Sequence, residues 1–333
     1  MAARWVRHSA EVVVCLGPMH PDMAEAHHQP APPAAPRLPA WLRRPFDGGR
    51  SRREVRALLR ELHLHTVCES ARCPNLCECW KQRAATFLLL GDKCTRTCRF
   101  CAVAHGVPAV PDLEEAAHVV EAVRRLSLRF AVLTCVTRDD LPDGGAAHIA
   151  GVIAALRRDA PGVGVEALVS DCGGRLEAVD EVLAAGPDVF SHNLETTARL
   201  TPQIRPRADY RRSLRVLARA AALVGLGRSP ARVKSGFMLG LGETAAEIRQ
   251  TLRELRESGV TWVTLGQYLA PTAAHWPVAR YVTPEEFCEW EQAALNEFGF
   301  ATVVSGPLVR SSYHAADGFG SSTSAGNPKE MAR

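Results

Sequence analysis

Seven of the chain's eleven cysteines fall between Cys68 and Cys101. Few folds concentrate thiols this way without using them. Met1–Gly17 carries Arg4 and Arg7 ahead of an apolar stretch, Val12–Leu16, that is shorter than a signal-peptide core and is approached through Glu11. A cytoplasmic setting is therefore expected. Thiols there stay reduced, so dense cysteines bind metal or do chemistry more often than they form disulfides. The other four, Cys15, Cys135, Cys172 and Cys288, are scattered. No apolar run reaches the roughly 18 residues of a membrane span; the longest, Ala218–Gly227, contains Arg219. A net charge of +4 is too small to argue for nucleic acid, and 47% hydrophobic residues suffice for a sizeable core.

Around the cysteines the chain alternates. Thr86–Leu90, Phe130–Val136, Val163–Val169, Asp188–His192, Arg232–Leu239 and Thr261–Leu269 read as short buried strands. Between several of them lie helical periods, Ile149, Val152, Ile153 and Leu156, then Ile248, Leu252 and Leu255. Such alternation predicts parallel βα units, in a barrel or an open doubly wound sheet, which periodicity alone does not separate. Residues 1–37, with the run HHQPAPPAAP, read as a disordered leader, and 318–333 as a disordered tail.

Directly after the first strand stands GDKCTRTCRFCAV, with Cys94, Cys98 and Cys101 spaced C-x3-C-x2-C. Three thiolates on one short loop can hold three irons of a [4Fe–4S] cube and leave the fourth open to a small molecule. A zinc knuckle is the alternative, but zinc favours four ligands in C-x2–4-C pairs. The loop resembles the radical S-adenosylmethionine (SAM) motif, and Phe100 fits the aromatic usual before its third cysteine. Gly236–Glu243 (GFMLGLGE) matches the same superfamily's G-x-I-x-G-x-x-E pattern, with Met238 at the apolar position.

Upstream, CESARCPNLCECW gives Cys68, Cys73 and Cys79 as C-x4-C-x5-C, too wide for a redox pair and unlike a common zinc ribbon. Arg310-Ser-Ser-Tyr313 stands near the C-terminal end. Both segments resemble the lipoyl synthase family, and so do TRDDLPDGGA (137–146), HNLET (192–196), RPRADYRRSL (205–214), GQYLAPT (266–272) and RYVTPEEF (280–287). The resemblance covers about residues 38–315. Three departures are visible: Cys77 where the family usually has glycine, Ser170-Asp171-Cys172 for Pro-Asp-Phe, and Cys135 where serine is commoner. With Cys77 present, C-x3-C and C-x-C pairings are open as well.

The resemblance implies an α/β fold, a partial (β/α)6 TIM-type barrel over 86–300. Extensions at 38–85 and 301–317 would hold an auxiliary cluster. It implies two [4Fe–4S] clusters and SAM as cofactors. Cys94, Cys98 and Cys101 would carry the first cluster. Cys68, Cys73, Cys79 and Ser312 would carry the second, with Ser312 a hard, easily broken ligand that takes part in catalysis. Phe100, Asp139, Asn193, Glu195, Gly240 and Glu243 are the candidates for cofactor contact, although Asp139, Asn193 and Glu195 suit caps and turns equally. The implied reaction inserts two sulfur atoms, at C6 and C8, into an octanoyl chain on a lysine of a carrier domain. The implied partners are the E2 subunits of 2-oxoacid dehydrogenases, the H protein of glycine cleavage, an electron donor and an iron–sulfur carrier that reloads the auxiliary cluster. No nucleic acid and no membrane are expected. Another sulfur-inserting radical SAM enzyme, an electron-transfer or sensor protein without SAM, and a zinc-binding module are the competing readings.

Overall fold

The computed structural model describes residues 37–43, 49–71, 73–81 and 85–312, and of residues 50, 51, 77 and 81 the backbone alone. Nearly all of the expected leader, the expected tail, Tyr313 and the Cys77 thiol lie outside the described residues.

Runs such as Thr86–Leu89, buried at every position, satisfy a parallel strand covered on both faces. The strands are β1 (His65–Thr66), β2 (Thr86–Leu89), β3 (Lys93–Cys94), β4 (Ala104–His105), β5 (Phe130–Cys135), β6 (Gly164–Leu168), β7 (Val189–Ser191), β8 (Arg232–Leu239), β9 (Trp262–Gln267) and β10 (Thr302–Gly306). One eight-stranded sheet runs β1-β2-β5-β6-β7-β8-β9-β10. Only β1 is antiparallel to its neighbour. The pair β3-β4 stands apart. Helices α1 (Arg50–Glu61), α2 (Val67–Ser70) and α3 (Leu76–Lys81) precede β2. After it come α4 (Glu115–Arg125), α5 (Ala146–Asp159), α6 (Leu176–Ala184), α7 (Thr201–Ile204), α8 (Tyr210–Gly225), α9 (Ala245–Glu257) and α10 (Pro284–Asn296). Successive outer helices α4, α5, α6 and α8 pack side by side.

The fold is thus the expected parallel α/β partial barrel. Each of the six expected strands is present, with ends displaced by at most two residues. The extensions add one strand at either edge. β10 escaped the sequence reading because TVVSG is short and half-buried at every position, as an edge strand can be.

Strand alternation divides the apolar residues into two layers. Outward side chains join the helices in the main core. Phe130, Val132, Val189 and Trp262 form a separate cluster that floors the barrel. Against this floor sit Glu166 on β6 and Lys234 on β8, both 0% exposed, with Lys234 Nζ donating to the two carboxylate oxygens at 3.0 and 2.8 Å. Removing one partner of a buried pair strands the other charge, whereas replacing both by apolar groups does not. Lys234→Met should therefore destabilise the protein by about 3–5 kcal/mol, and Glu166→Leu/Lys234→Met should regain most of that loss in urea unfolding. A single-variant loss below about 1 kcal/mol, the range of exposed pairs, would contradict the pair's burial.

Candidate functional site

A cavity of about 490 Å³ opens at the C-terminal ends of the strands, where barrels of this kind place their chemistry. Cys94, Cys98 and Cys101 line it. Their loop is launched by a tight turn: Leu90 takes φ +67° and Gly91 φ +95°. The turn is held on three sides. The Leu90 N–H donates to the buried Glu115 carboxylate at 3.0 Å, and its carbonyl accepts from Arg138 Nη1 at 3.2 Å. Gly145 is so close that a Cβ there would meet Leu90 Cδ1 at 2.3 Å, and its φ of +90° also favours glycine.

The loop is then fastened to the barrel. Thr95 N–H donates to the Thr137 carbonyl (3.1 Å), Gly106 N–H to that of Cys94 (3.0 Å) and Arg99 N–H to that of Ile204 (2.7 Å). Arg96, between the first two cysteines, reaches under the loop. Its guanidinium donates to Asp139 at 2.7 Å and to Asp171 at 2.7 Å. Arg207 and Arg212 face the same two carboxylates. Hydrogen bonding to Arg96 holds the Asp139 carboxyl below its usual range. Burial alone would raise Asp171, yet the same guanidinium holds it low too. The ion pairs stay charged because each carboxylate has a cation within reach.

The second trio comes from the segment before β2. Cys68 lies in α2 and Cys79 in α3, with Cys73 between them. Cys73 N–H donates to the Cys68 carbonyl at 3.1 Å and Cys79 N–H to the Asn75 carbonyl at 2.9 Å. Cys68 and Cys73 line the same cavity as the first trio; Cys79 packs against the main core. Burial first, and then neighbouring thiols, push Cys68 up to about 11 and Cys79 to about 12. Burial raises Cys73 as well, with the Arg310 guanidinium opposing it. In the first trio burial pushes Cys101 up to about 12, and Cys98 rises for the same reason against the pull of Arg205. These thiols are thus neutral without a cation, and loading one must displace their protons.

The C-terminal strap Leu308–Ser312 closes the cavity on the side of the second trio. Asn75 Nδ2 donates to the Leu308 carbonyl at 2.6 Å. Ser311 Oγ accepts from Asn193 Nδ2 at 2.7 Å, and the Ser311 carbonyl accepts from Lys234 Nζ at 2.5 Å. Ser311 and Ser312 both line the cavity.

Of the residues expected to contact a cofactor, Phe100, Asn193 and Glu195 line the cavity. Phe100 packs against an apolar cluster of Leu200, Ile204, Leu241 and Tyr268. Glu195 sits at φ +65°, its carboxyl raised by burial and accepting from Asn193 Nδ2 at 3.1 Å. Asp139, Gly240 and Glu243 stand outside the lining. Asp139 is taken up by Arg96, and the Glu243 carboxylate accepts from the N–H groups of Gly240 and Leu241, at 2.7 and 2.9 Å, closing the turn after β8. Sequence reasoning missed Arg96, Asp171, Arg205, Glu166 and Lys234. It also missed His192, which lines the cavity with Nδ1 2.9 Å from the Val169 carbonyl, its pKa lowered by burial to about 4. Arg96 alone carried a local signal, as the one charged residue between Cys94 and Cys98.

The donor set fits iron–sulfur cubes, since soft thiols from two segments stand close together, five of the six on one cavity. Among the described residues no three His, Cys, Asp or Glu side chains converge on a single-ion site. A cube's ligands, each on its own iron, need not converge so closely.

Comparison with known proteins agrees with this chemistry. The family model described as Radical SAM superfamily matches residues 88–255, and that of the N-terminal domain of lipoyl synthase matches 22–73. The lipoyl synthase of Rubrobacter xylanophilus is 52% identical over 277 residues, covering 83% of this chain and 85% of the relative. That of Thermus thermophilus is 53% identical over 279 residues (83% and 85%), and that of Methylococcus capsulatus 54% over 285 (85% and 87%). Among solved structures, methylornithine synthase superposes with a TM-score of 0.51 at 11% identity, over 76% of this chain and 81% of that one. A maturase of the [FeFe]-hydrogenase gives 0.51 at 16% identity, over 65% and 50%. These two likenesses speak for the fold alone. At more than 50% identity along most of both sequences, the chain belongs to the lipoyl synthase family of radical SAM enzymes, which insert sulfur by means of SAM and an auxiliary iron–sulfur cluster.

Proposed function

We propose that the two thiol trios divide the labour of lipoyl synthesis. Cys94, Cys98 and Cys101 hold a [4Fe–4S] cluster whose fourth iron is left to SAM. Cys68, Cys73, Cys79 and Ser312 hold a second, whose sulfur is a substrate of the reaction. The observation that carries this reading is a shared wall: five of these six thiols and Ser312 line one cavity. When bound, the first cluster supplies the electron that generates a radical from SAM, the reagent that unactivated octanoyl C–H bonds require.

The chain's own residues position and shield. Arg96, gripped by Asp139 and Asp171, keeps the first trio's loop in one place. Phe100 and the apolar cluster behind it keep water from one wall. Asn193 and Glu195 offer polar groups to SAM or substrate, while Asp139, Gly240 and Glu243 shape the surrounding loops. Ser312 would be an oxygen ligand among thiolates, and so the weakest hold on the second cluster. In this reading residues 38–85 and 301–317 serve the second cluster and 86–300 the first.

The family acts on lipoyl carrier domains. The finer assignment is octanoylated E2 and H-protein domains as substrates, an electron donor, an iron–sulfur carrier for reloading, and a cytoplasmic location. Among the described residues no helix is long and apolar enough to cross a membrane.

Two sets of variants test the assignment. Replacing Cys94, Cys98 and Cys101 by Ala should abolish 5′-deoxyadenosine formation and leave about half of the iron bound, since one of two equal clusters is lost. Replacing Cys68, Cys73 and Cys79 should spare 5′-deoxyadenosine formation and stop thiolation; thiolated product from that variant would sink the division of roles. Ser312→Ala should lose iron from the second cluster. Ser312→Cys should assemble it but thiolate slowly, thiolate being the softer and tighter ligand. If Ser312 were only a turn residue, the alanine variant would lose about 1 kcal/mol of stability and nothing else.

A further inference from the structure

The division of roles above leaves the barrel's central ion pair without a task. An ammonium has three protons to donate. Two of Lys234's go to the Glu166 oxygens, and the third goes to the Ser311 carbonyl at 2.5 Å. The Trp262 ring lies 4.5 Å from Nζ on another side. Lys234 is thus fully satisfied only while the strap is seated, and a buried charged donor left without its acceptor is expensive.

Two further contacts fix the same segment. Asn193 holds the Ser311 hydroxyl. On β9, Gly266 lets the strap lie directly on the strand, since a Cβ there would meet the Val309 carbonyl oxygen at 2.2 Å. Ser311 is therefore gripped at both its carbonyl and its hydroxyl, and its neighbour Ser312 has little freedom in where it stands.

We infer that Lys234, steered by Glu166, is a positioning residue that fixes Ser312 at the cavity wall by clamping the Ser311 carbonyl. This rests on the reading of Ser312 as a ligand of the second cluster. The pair orients one N–H toward the strap from the barrel interior. With the strap unseated that N–H would have no acceptor, so the buried ammonium favours the seated strap and keeps Ser312 at the cavity wall.

The test compares the full-length, anaerobically reconstituted protein with Lys234→Met, Glu166→Leu/Lys234→Met and Ser312→Ala. The paired variant removes both charges, and so retains stability, but has no donor for Ser311. Hydrogen exchange read by mass spectrometry over residues 307–312 should quicken at least tenfold in the paired variant, while α5 and α9 exchange as in the wild type. Iron of the second cluster, followed by Mössbauer spectroscopy, should pass to a chelator at least tenfold faster, approaching Ser312→Ala. Wild-type strap exchange or wild-type iron retention in the paired variant would overturn the clamp. If Ser312→Ala also keeps its iron, the ligand assignment itself is overturned, and quickened strap exchange in the paired variant tells that failure from a failure of the clamp.

Discussion

A guanidinium held between two carboxylates fixes the loop of Cys94, Cys98 and Cys101 to the barrel. Arg96 belongs to the loop of Cys94, Cys98 and Cys101, whereas Asp139 follows β5 and Asp171 follows β6. The Arg96 side chain is 4% exposed and that of Asp171 0%, so solvent screens the pair little. The bidentate grip on Asp139 adds direction to charge. A loop of thiols needs such an anchor. Without bound metal its cysteines are neutral where burial raises them, and they contribute no ionic attraction of their own. The backbone bonds from Thr95, Arg99 and Gly106 finish the work and hold the three thiols at the cavity.

The opposite wall is built by a different device. There the second trio sits on short helical turns, and the strap from β10 closes over them. The strap takes its hold from Asn75 on the side of the trio and from Asn193 and Lys234 on the barrel side. Asn75 thus joins the segment before β2 directly to the strap after β10. The loop of the first trio is pinned by ion pairs, the strap by hydrogen bonds.

Much of this was legible in the sequence because cysteine spacing and strand patterns are local. C-x3-C-x2-C after TFLLL located the mouth of a βα unit, and six apolar runs located six strands. What was not legible depends on distance along the chain. Arg96 meets its carboxylates 43 and 75 residues away, Lys234 meets Glu166 at 68 and Ser311 at 77. Asn193 reaches Ser311 across 118 residues. Arg96, set between two cysteines, and Asn193, in HNLET, apart, nothing in the sequence distinguishes these residues from ordinary strand or turn positions. Glu243, read as a possible cofactor contact, accepts from backbone N–H groups three and two residues before it, a turn role that the glycine-rich motif did not single out.

In the proposed division of roles, sulfur held by Cys68, Cys73, Cys79 and Ser312 ends in the product. The most direct measurement is turnover of an octanoyl-lysyl peptide by protein reconstituted with heavy-isotope sulfide and then freed of it. Product mass is read in buffer that supplies only light sulfide. The product should carry two heavy sulfur atoms, and none should form from protein whose second trio is replaced by alanine. Product carrying light sulfur, or heavy product from the variant, would contradict that division of roles.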